Sequence, residues 1–262
     1  MNISVTVATV TYNAEKHIVR TLQSVAAQSF PFVEHLIIDG CSKDKTLNIV
    51  RKYVQDEVKK DIPHKIVVIS ESDKGLYDAM NKAILKATGN YIVFLNAGDA
   101  LHSSNTLAEL FSFVKDIKDI DALPAVIYGQ TNIVNEKGTF IRGRRLQAPD
   151  ELNWKSFRKG MLVCHQSFYV RTDVARKEPY NLSYQFSSDF DWCIRILKRI
   201  HNKKMRTFNS HLVLTDYLSE GMTTKNHRAS LLERFRIMKN HYGLLATIVM
   251  HLWFCLRALI KK

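Results

Sequence analysis

Glycine and proline are scarce in this chain, at 10 and 5 of 262 residues. That scarcity excludes collagen-like, proline-rich and glycine-rich low-complexity architectures. No internal repeat is visible, which sets aside solenoids and propellers. Only four cysteines are present: Cys41, Cys164, Cys193 and Cys255. No two stand as C-x-x-C and none has a histidine at metal-finger spacing, so reduced thiols are expected. The basic-then-apolar order of a secretory signal is missing as well. Residues 1–5 run straight into a strand pattern, and a cytoplasmic setting is expected.

Hydrophobic residues make up 46% and charged residues 24%, an ordinary globular balance that excludes extensive disorder. A chain of this length forms one large domain or two small ones. Charge is the first informative quantity, because the net +13 is lopsided. Residues 1–131 hold 14 basic and 15 acidic side chains, whereas residues 132–262 hold 24 basic and 10 acidic. The second half should therefore attract polyanions or an anionic membrane surface. It carries no nucleic-acid-binding motif, and its basic residues are not regularly interleaved with aromatics, so a nucleic acid partner is not expected.

Through the first hundred residues, strands and helices alternate. Strand patterns cover residues 3–10, 33–38, 65–69 and 91–95, and helix patterns cover 14–28, 46–58 and 76–87. The strand runs are almost continuously apolar, which predicts a mainly parallel sheet covered by helices on both faces. Beyond Asp99 the rhythm changes. A helix is expected over 105–117, short strands over 125–128, 132–134 and 139–142 with a turn at 135–138, a strand over 163–170 and a helix over 190–200. No linker is long enough to separate two independent domains. The expected organisation is an α/β domain over 1–225 followed by a helical appendage over 226–262. In that appendage, residues 227–242 form an amphipathic helix pattern. Residues 244–260 are apolar except for Thr247, His251 and Arg257. Seventeen residues are short for a bilayer span of ~20. Two readings stand: a helix packed against the domain or a partner subunit, or one lying in the inner-leaflet interface with basic anchors.

Ligands of open α/β sheets bind beyond the carboxyl ends of the strands. Those ends read Thr11-Tyr12-Asn13, Asp39-Gly40-Cys41-Ser42, Glu71-Ser72-Asp73-Lys74-Gly75 and Asn96-Ala97-Gly98-Asp99. Singly, each has a plain explanation: Asp39-Gly40 suits a turn, and Ser42 suits a helix cap. Four successive ends that each carry an acid or an amide are too ordered for solvated loops.

These strings resemble the family 2 glycosyltransferases of the GT-A fold. The resemblance lies in TVTYNAEKHIVRTLQSVAAQSF, HLIIDGCSKDKT, ESDKGLYDAMNKAI and GNYIVFLNAGD, and more loosely in HQSFYVR, SSDFDWCIRIL and SEGMTT. It implies a nucleoside-diphosphate sugar as donor and a Rossmann-like, mixed, mainly parallel sheet. It places Thr11 and Tyr12 against the base and ribose and has Asp39 accept a hydrogen bond from the base's ring N–H, with Asn13 and Ser42 among the donor-binding residues. Asp73 falls where the family places another nucleotide-contacting acid, and Lys74 and Gly75 fall near the phosphates. Asp78 and Asn81, three residues apart on the next helix, can face the same cleft or simply solvent.

The family's acid-x-acid metal motif is reduced here to Asn96-Ala97-Gly98-Asp99, so the resemblance leaves Asp99 as the ligand of a divalent cation, Mg²⁺ or Mn²⁺. One carboxylate with phosphate oxygens and water can hold such an ion. The resemblance places the catalytic base at the start of the late helix, where Asp189 stands, with Asp191 as a second choice. His165 and Gln166 fall where related chains contact the acceptor or the diphosphate, though a core histidine explains His165 equally. Arg142, Arg144 and Arg145 could grip a lipid-linked diphosphate or form a solvated loop. Gly221-Met222-Thr223, with Lys225, His227 or Arg228, resembles a loop that closes on the donor.

The expected activity is transfer of a hexose-type sugar, from a UDP-sugar by preference, to a hydroxyl of a saccharide acceptor. That acceptor is expected to be lipid-linked, in bacterial surface-polysaccharide assembly. One base and no enzyme nucleophile imply inversion at the anomeric carbon. The alternative is a catalytically inactive module that binds a nucleotide-sugar or polyanion, for which Asn96 is the best argument.

Overall fold

Val5–Thr11 forms β1, seven residues buried without interruption. In the computed structural model, which describes residues 2–61, 63–117, 119–219 and 227–260, β1 lies between two parallel neighbours. One is β2 (Val33–Asp39) and the other β4 (Tyr91–Phe94). The outer strand β3 (Lys65–Ser70) pairs parallel with β2 and is half exposed, as an edge strand should be. β-Branched residues suit such doubly covered strands because they pack on both faces of the pleat. Register then does functional work: Thr11 pairs with Asp39, and Asp39 with Ser70. The polar strand ends therefore form one row along a single rim.

Helices α1 (Ile18–Ala26), α2 (Thr46–Glu57) and α3 (Leu76–Lys86) make the crossovers. On α1, Ile18, Thr21, Leu22 and Val25 are buried, the spacing of one helical face. The expected helix over 14–28 is shorter at both ends, because Asn13 takes a left-handed conformation, φ +47°, and the chain turns before Ile18.

The second half extends the sheet. A two-residue strand β5 (Ala100–Leu101) precedes α4 (Thr106–Ser112), which is shorter than the expected 105–117 helix. β6 (Val126–Val134) is one continuous strand where two short ones were expected, and the 135–138 turn joins it to β7 (Phe140–Gly143). The strand expected over 163–170 begins instead with a 3-10 turn at His165–Ser167, followed by β8 (Phe168–Arg171). That turn lifts His165 out of the sheet. After the single turn α5 (Thr172–Ala175) comes α6 (Ser188–Asn202). Then β9 (Thr207–Leu218), which the sequence pattern does not announce, pairs parallel with β6 and antiparallel with β5. Its alternation is hidden by polar residues and by His211 at φ +58°, where the register with β6 shifts. The strand order is β3-β2-β1-β4-β8-β6-β9-β5, with β7 on β6.

The largest apolar cluster joins one face of the sheet to α3 and α6. Trp192 is fully buried there, stacked on Tyr180 at 4.7 Å and edge-on to Phe94 and Phe168. This places it in the core. The chain closes with α7 (His227–Tyr242) and α8 (Leu244–Ile260), joined at Gly243 with φ +85°. Ile237 and Met238 of α7 are buried in the α6 cluster.

Candidate active site

The first two strand ends are stitched together by Ser42. Its Oγ donates to Asp39 Oδ1 and accepts from the Asn13 N–H at 2.9 Å, while Asn13 Oδ1 accepts from the Lys43 N–H at 2.8 Å. Asp39 Oδ2 accepts from the Ser42 N–H and from Ser70 Oγ, at 3.0 and 2.7 Å. The Asp39 carboxylate is fully buried and rigidly aimed. Gly40 then lets the third strand end close in. A Cβ there would lie 2.6 Å from Asp73 Oδ2 and 3.4 Å from Tyr12 Cδ2. Tyr12 lies beside it, 59% exposed. A large aromatic ring left in solvent next to Gly40 can stack on a planar ring. Thr11 Oγ1 is buried without a hydrogen-bond partner at the same rim. Asp73 Oδ1 accepts from the Gly75 N–H and Asp78 Oδ2 from the Lys74 N–H, which shapes the turn into α3.

The other side of the rim holds a hydrogen-bonded chain. Asn96 Nδ2 donates to His165 Nε2 at 3.3 Å, and His165 Nδ1 donates to Asp189 Oδ2 at 3.2 Å. A ring nitrogen that accepts from Asn96 leaves the proton on Nδ1. Tyr77 Oη donates to Asp189 Oδ1 at 3.4 Å, and the Phe190 N–H donates to the same oxygen at 2.9 Å. Burial opposes the charge of Asp189. The hydrogen bond and attraction of His165, the Arg234 guanidinium and the Phe190 N–H outweigh it and hold the carboxyl below its ordinary value. Its place in the first turn of α6 acts in the same direction. Asn96 Oδ1 is buried and unpartnered. Asp189 is thus an ionised, aimed carboxylate bridged to β4 through His165 and to α3 through Tyr77.

A profile described as Glycosyl transferase family 2 matches residues 6–176. The chain belongs to glycosyl transferase family 2. It is similar to the PGL/p-HBAD biosynthesis glycosyltransferase of Mycobacterium bovis (strain BCG / Pasteur 1173P2), with 29% identity over 201 residues, 76% of this chain and 71% of that one. Among solved structures, S. aureus TarS 1-349 in complex with UDP-GlcNAc superposes with a TM-score of 0.67 at 18% identity, covering 96% of this chain and 73% of TarS. The mannosyltransferase PcManGT from Pyrobaculum calidifontis, in complex with GDP-Man and Mn²⁺, gives 0.61 at 18% identity, covering 96% of this chain and 71% of PcManGT. The fold is GT-A-like, and the protein is a glycosyltransferase.

In this family 2 transferase Asp99 does not fit the part of a metal ligand. Its side chain is 3% exposed, and both oxygens are engaged inside the protein. Oδ1 accepts from the Leu218 N–H at 3.0 Å and Oδ2 from Gln166 Nε2 at 2.9 Å. Burial raises its acid to about 6 against the pull of the Leu218 N–H, Gln166, His165 and Arg20. Among the described residues no cluster of three His, Cys, Asp or Glu side chains could hold an ion. Ala97 and Gly98 also turn inward. Ala97 packs on the α1 cluster, and the Gly98 N–H donates to Thr21 Oγ1. Gln166 braces Asp99 rather than facing the rim.

Three further expected site residues have other partners. Asn81 uses both ends of its amide on the Tyr180 backbone, at 2.7 and 3.0 Å. Asp191 is buried between Arg195 and His241, each at 2.7 Å, on the side of α6 that meets α7. Arg144 holds the carbonyls of Met161 and Leu162 and so braces the segment before His165, while Arg142 is exposed on β7. Gly221-Met222-Thr223 and Lys225 lie outside the described residues. From the sequence Gly40 reads only as part of a turn, and Tyr77 is passed over, although both stand inside the motif strings.

Proposed function

We propose that this transferase moves a hexose-type sugar from a UDP-sugar to a hydroxyl of a saccharide acceptor, with inversion at the anomeric carbon. The observation that carries the reading is the ionised Asp189 carboxylate, aimed by His165 and Tyr77 beside a rim whose other side presents Tyr12, Asp39 and Asp73. Tyr12 stacks on the base, Asp39 accepts its ring N–H, and Asp73 takes ribose hydroxyls. Lys74 supplies charge near the phosphates. The acceptor hydroxyl gives its proton to Asp189 as its oxygen attacks the anomeric carbon. In the same step the bond from that carbon to the diphosphate breaks and the nucleoside diphosphate leaves. A single in-line displacement inverts the centre. General-base assistance of this kind contributes roughly 10²–10⁴-fold. Asp99, held inward by the Leu218 N–H and Gln166, takes no part in the transfer in this reading. The setting in this reading is cell-surface polysaccharide or glycolipid assembly on a lipid-linked acceptor, at the cytoplasmic face of the membrane. The basic second half and apolar tail support it.

The test pairs thermal shift against UDP-, GDP- and dTDP-sugars, with and without Mn²⁺, with UDP release on a saccharide acceptor. UDP-sugars should stabilise the wild type and Asp189→Asn alike, while Asp189→Asn loses about 10²-fold or more in turnover. Stabilisation without turnover in the wild type would favour the inactive binding module. Full activity of Asp189→Asn would overturn the assignment of the base.

A further inference from the structure

We propose that α8 is an interfacial anchor that lies flat on an anionic bilayer and holds α6, with its base, at the membrane surface. The contact with lipid stands on its own observations. Only its consequence for the acceptor rests on the transferase reading above.

At 1.5 Å per residue, the 17 residues of α8 extend about 26 Å, less than the ~30 Å hydrocarbon core. Among the described residues no helix is long and apolar enough to cross a membrane. The helix is nevertheless apolar around most of its circumference and is covered on one side only. Met250 and Phe254 pack against the main cluster, and Thr247 is fully buried. On the open side Leu245, Val249, Leu252 and Leu256 recur at helical spacing and are 82%, 62%, 61% and 53% exposed. Single exposed leucines are ordinary, but a continuous stripe marks an interaction surface.

Charge decides what covers the stripe. From residue 234 to 262 the chain has no Asp or Glu and six Lys and Arg. A hollow of about 560 Å³ beside the stripe is lined by Lys159, Val249, Met250, Trp253 and Arg257. Two copies of α8 face to face would bring cations together with no acid from this segment to answer them. An anionic lipid surface offers acyl chain to the leucines and phosphate to Lys159 and Arg257, the arrangement of an amphipathic interfacial helix.

The anchor is tied to the site. On α7, Glu233 accepts from the backbone N–H groups of Gln185, Phe186 and Ser187 at 2.8–2.9 Å, the residues that lead into α6. His241, at the end of α7, pairs with Asp191 at 2.7 Å. Tyr242 stacks on Trp154 and donates to its carbonyl. With α8 on the bilayer, Asp189 serves a hydroxyl presented close to the lipid surface.

The test is flotation of the full chain with equimolar phosphatidylglycerol/phosphatidylcholine vesicles and with pure phosphatidylcholine. The protein should float with the anionic vesicles, bind the neutral ones at least about tenfold more weakly, and dissociate at high salt. Trp253 is half exposed while Trp192 is buried and Trp154 is stacked on Tyr242. A blue shift of fluorescence on binding, absent in Trp253→Phe, should therefore report the contact. Leu245→Glu/Leu252→Glu should lose about tenfold or more of the binding with unchanged circular dichroism, both side chains being exposed in the fold. Equal binding to both vesicle types, or none to either, would overturn the proposal. So would a dimer by light scattering that the double variant dissolves. None of these readouts depends on sugar transfer, so a failure of the transferase reading remains separable.

Discussion

The His165 Nδ1–H donates to Asp189 Oδ2 at 3.2 Å, and the other ring nitrogen of His165 accepts from Asn96. The residue that replaces the first acid of the expected metal motif therefore fixes the orientation of the histidine that aims the Asp189 carboxylate. A carboxylate at position 96 has no proton to give to Nε2, so it would no longer select the tautomer that presents Nδ1–H to Asp189.

Removing that histidine should change the pH profile as well as the rate. Burial by itself raises the acid of Asp189, and His165 is the strongest opposing influence. In the wild type the base stays ionised to below the ordinary aspartate value, so the acidic limb of kcat attributable to it lies at low pH. In His165→Ala the limb should move to higher pH and kcat should fall about tenfold or more, with donor KM little changed. His165→Asn, whose amide can donate to Asp189, should recover part of both. Measured kcat–pH profiles of the three proteins decide this, and an unmoved limb in the Ala variant would remove His165 from the positioning of the base.

Asp99 should make the fold weaker as pH rises. Its acid is raised from 3.8 to about 6 by burial, so the folded state holds the proton where the unfolded chain releases it. This contribution to stability is complete below about pH 4, declines as pH rises to about 6, and is flat above. The loss amounts to roughly 3 kcal/mol for a shift of about two units. Asp99→Asn keeps an acceptor for the Leu218 N–H and cannot ionise. Urea unfolding of both proteins between pH 4 and pH 7 should show the wild-type curve falling relative to that of the variant. Parallel curves would mean that Asp99 titrates normally in the fold.

Gly40→Ala should damage donor binding while sparing chemistry. The added methyl would lie 2.6 Å from Asp73 Oδ2, closer than such atoms approach, and Asp73 must swing away. Donor KM should rise several-fold, UDP affinity by calorimetry should weaken in step, and kcat should stay within about twofold. An unchanged KM would place Asp73 outside the donor site.

Much of this was legible in the sequence for a simple reason. In β1, β2 and β4 mostly apolar runs, interrupted by the buried Thr6, Thr9, Glu34 and His35, pass into polar residues at the carboxyl ends. Thr11, Asp39 and Asn96 could be placed on the rim from chain position alone. α3 and α6 were legible from helical periodicity. β9 was not, because Asn209, Ser210 and His211 interrupt its alternation at a bulge whose partner, β6, lies some eighty residues away. Asp99 shows a different limit. Its position after β4 was evident, but the direction of its carboxylate depends on the Leu218 N–H and Gln166, both remote in sequence.

The sequence by itself determined the alternating parallel half, the row of polar strand ends, the acid at the start of α6 and the basic, apolar tail, since each follows from local periodicity and composition. Tertiary structure alone decided which carboxylate faces the cleft and which faces the core. It also joined Asn96, His165 and Asp189 into one chain and locked α7 to α6 through Glu233 and His241. The physical reason is that a side chain's charge state and direction are set by the partners and desolvation it meets, and those partners arrive from distant segments only when the sheet closes.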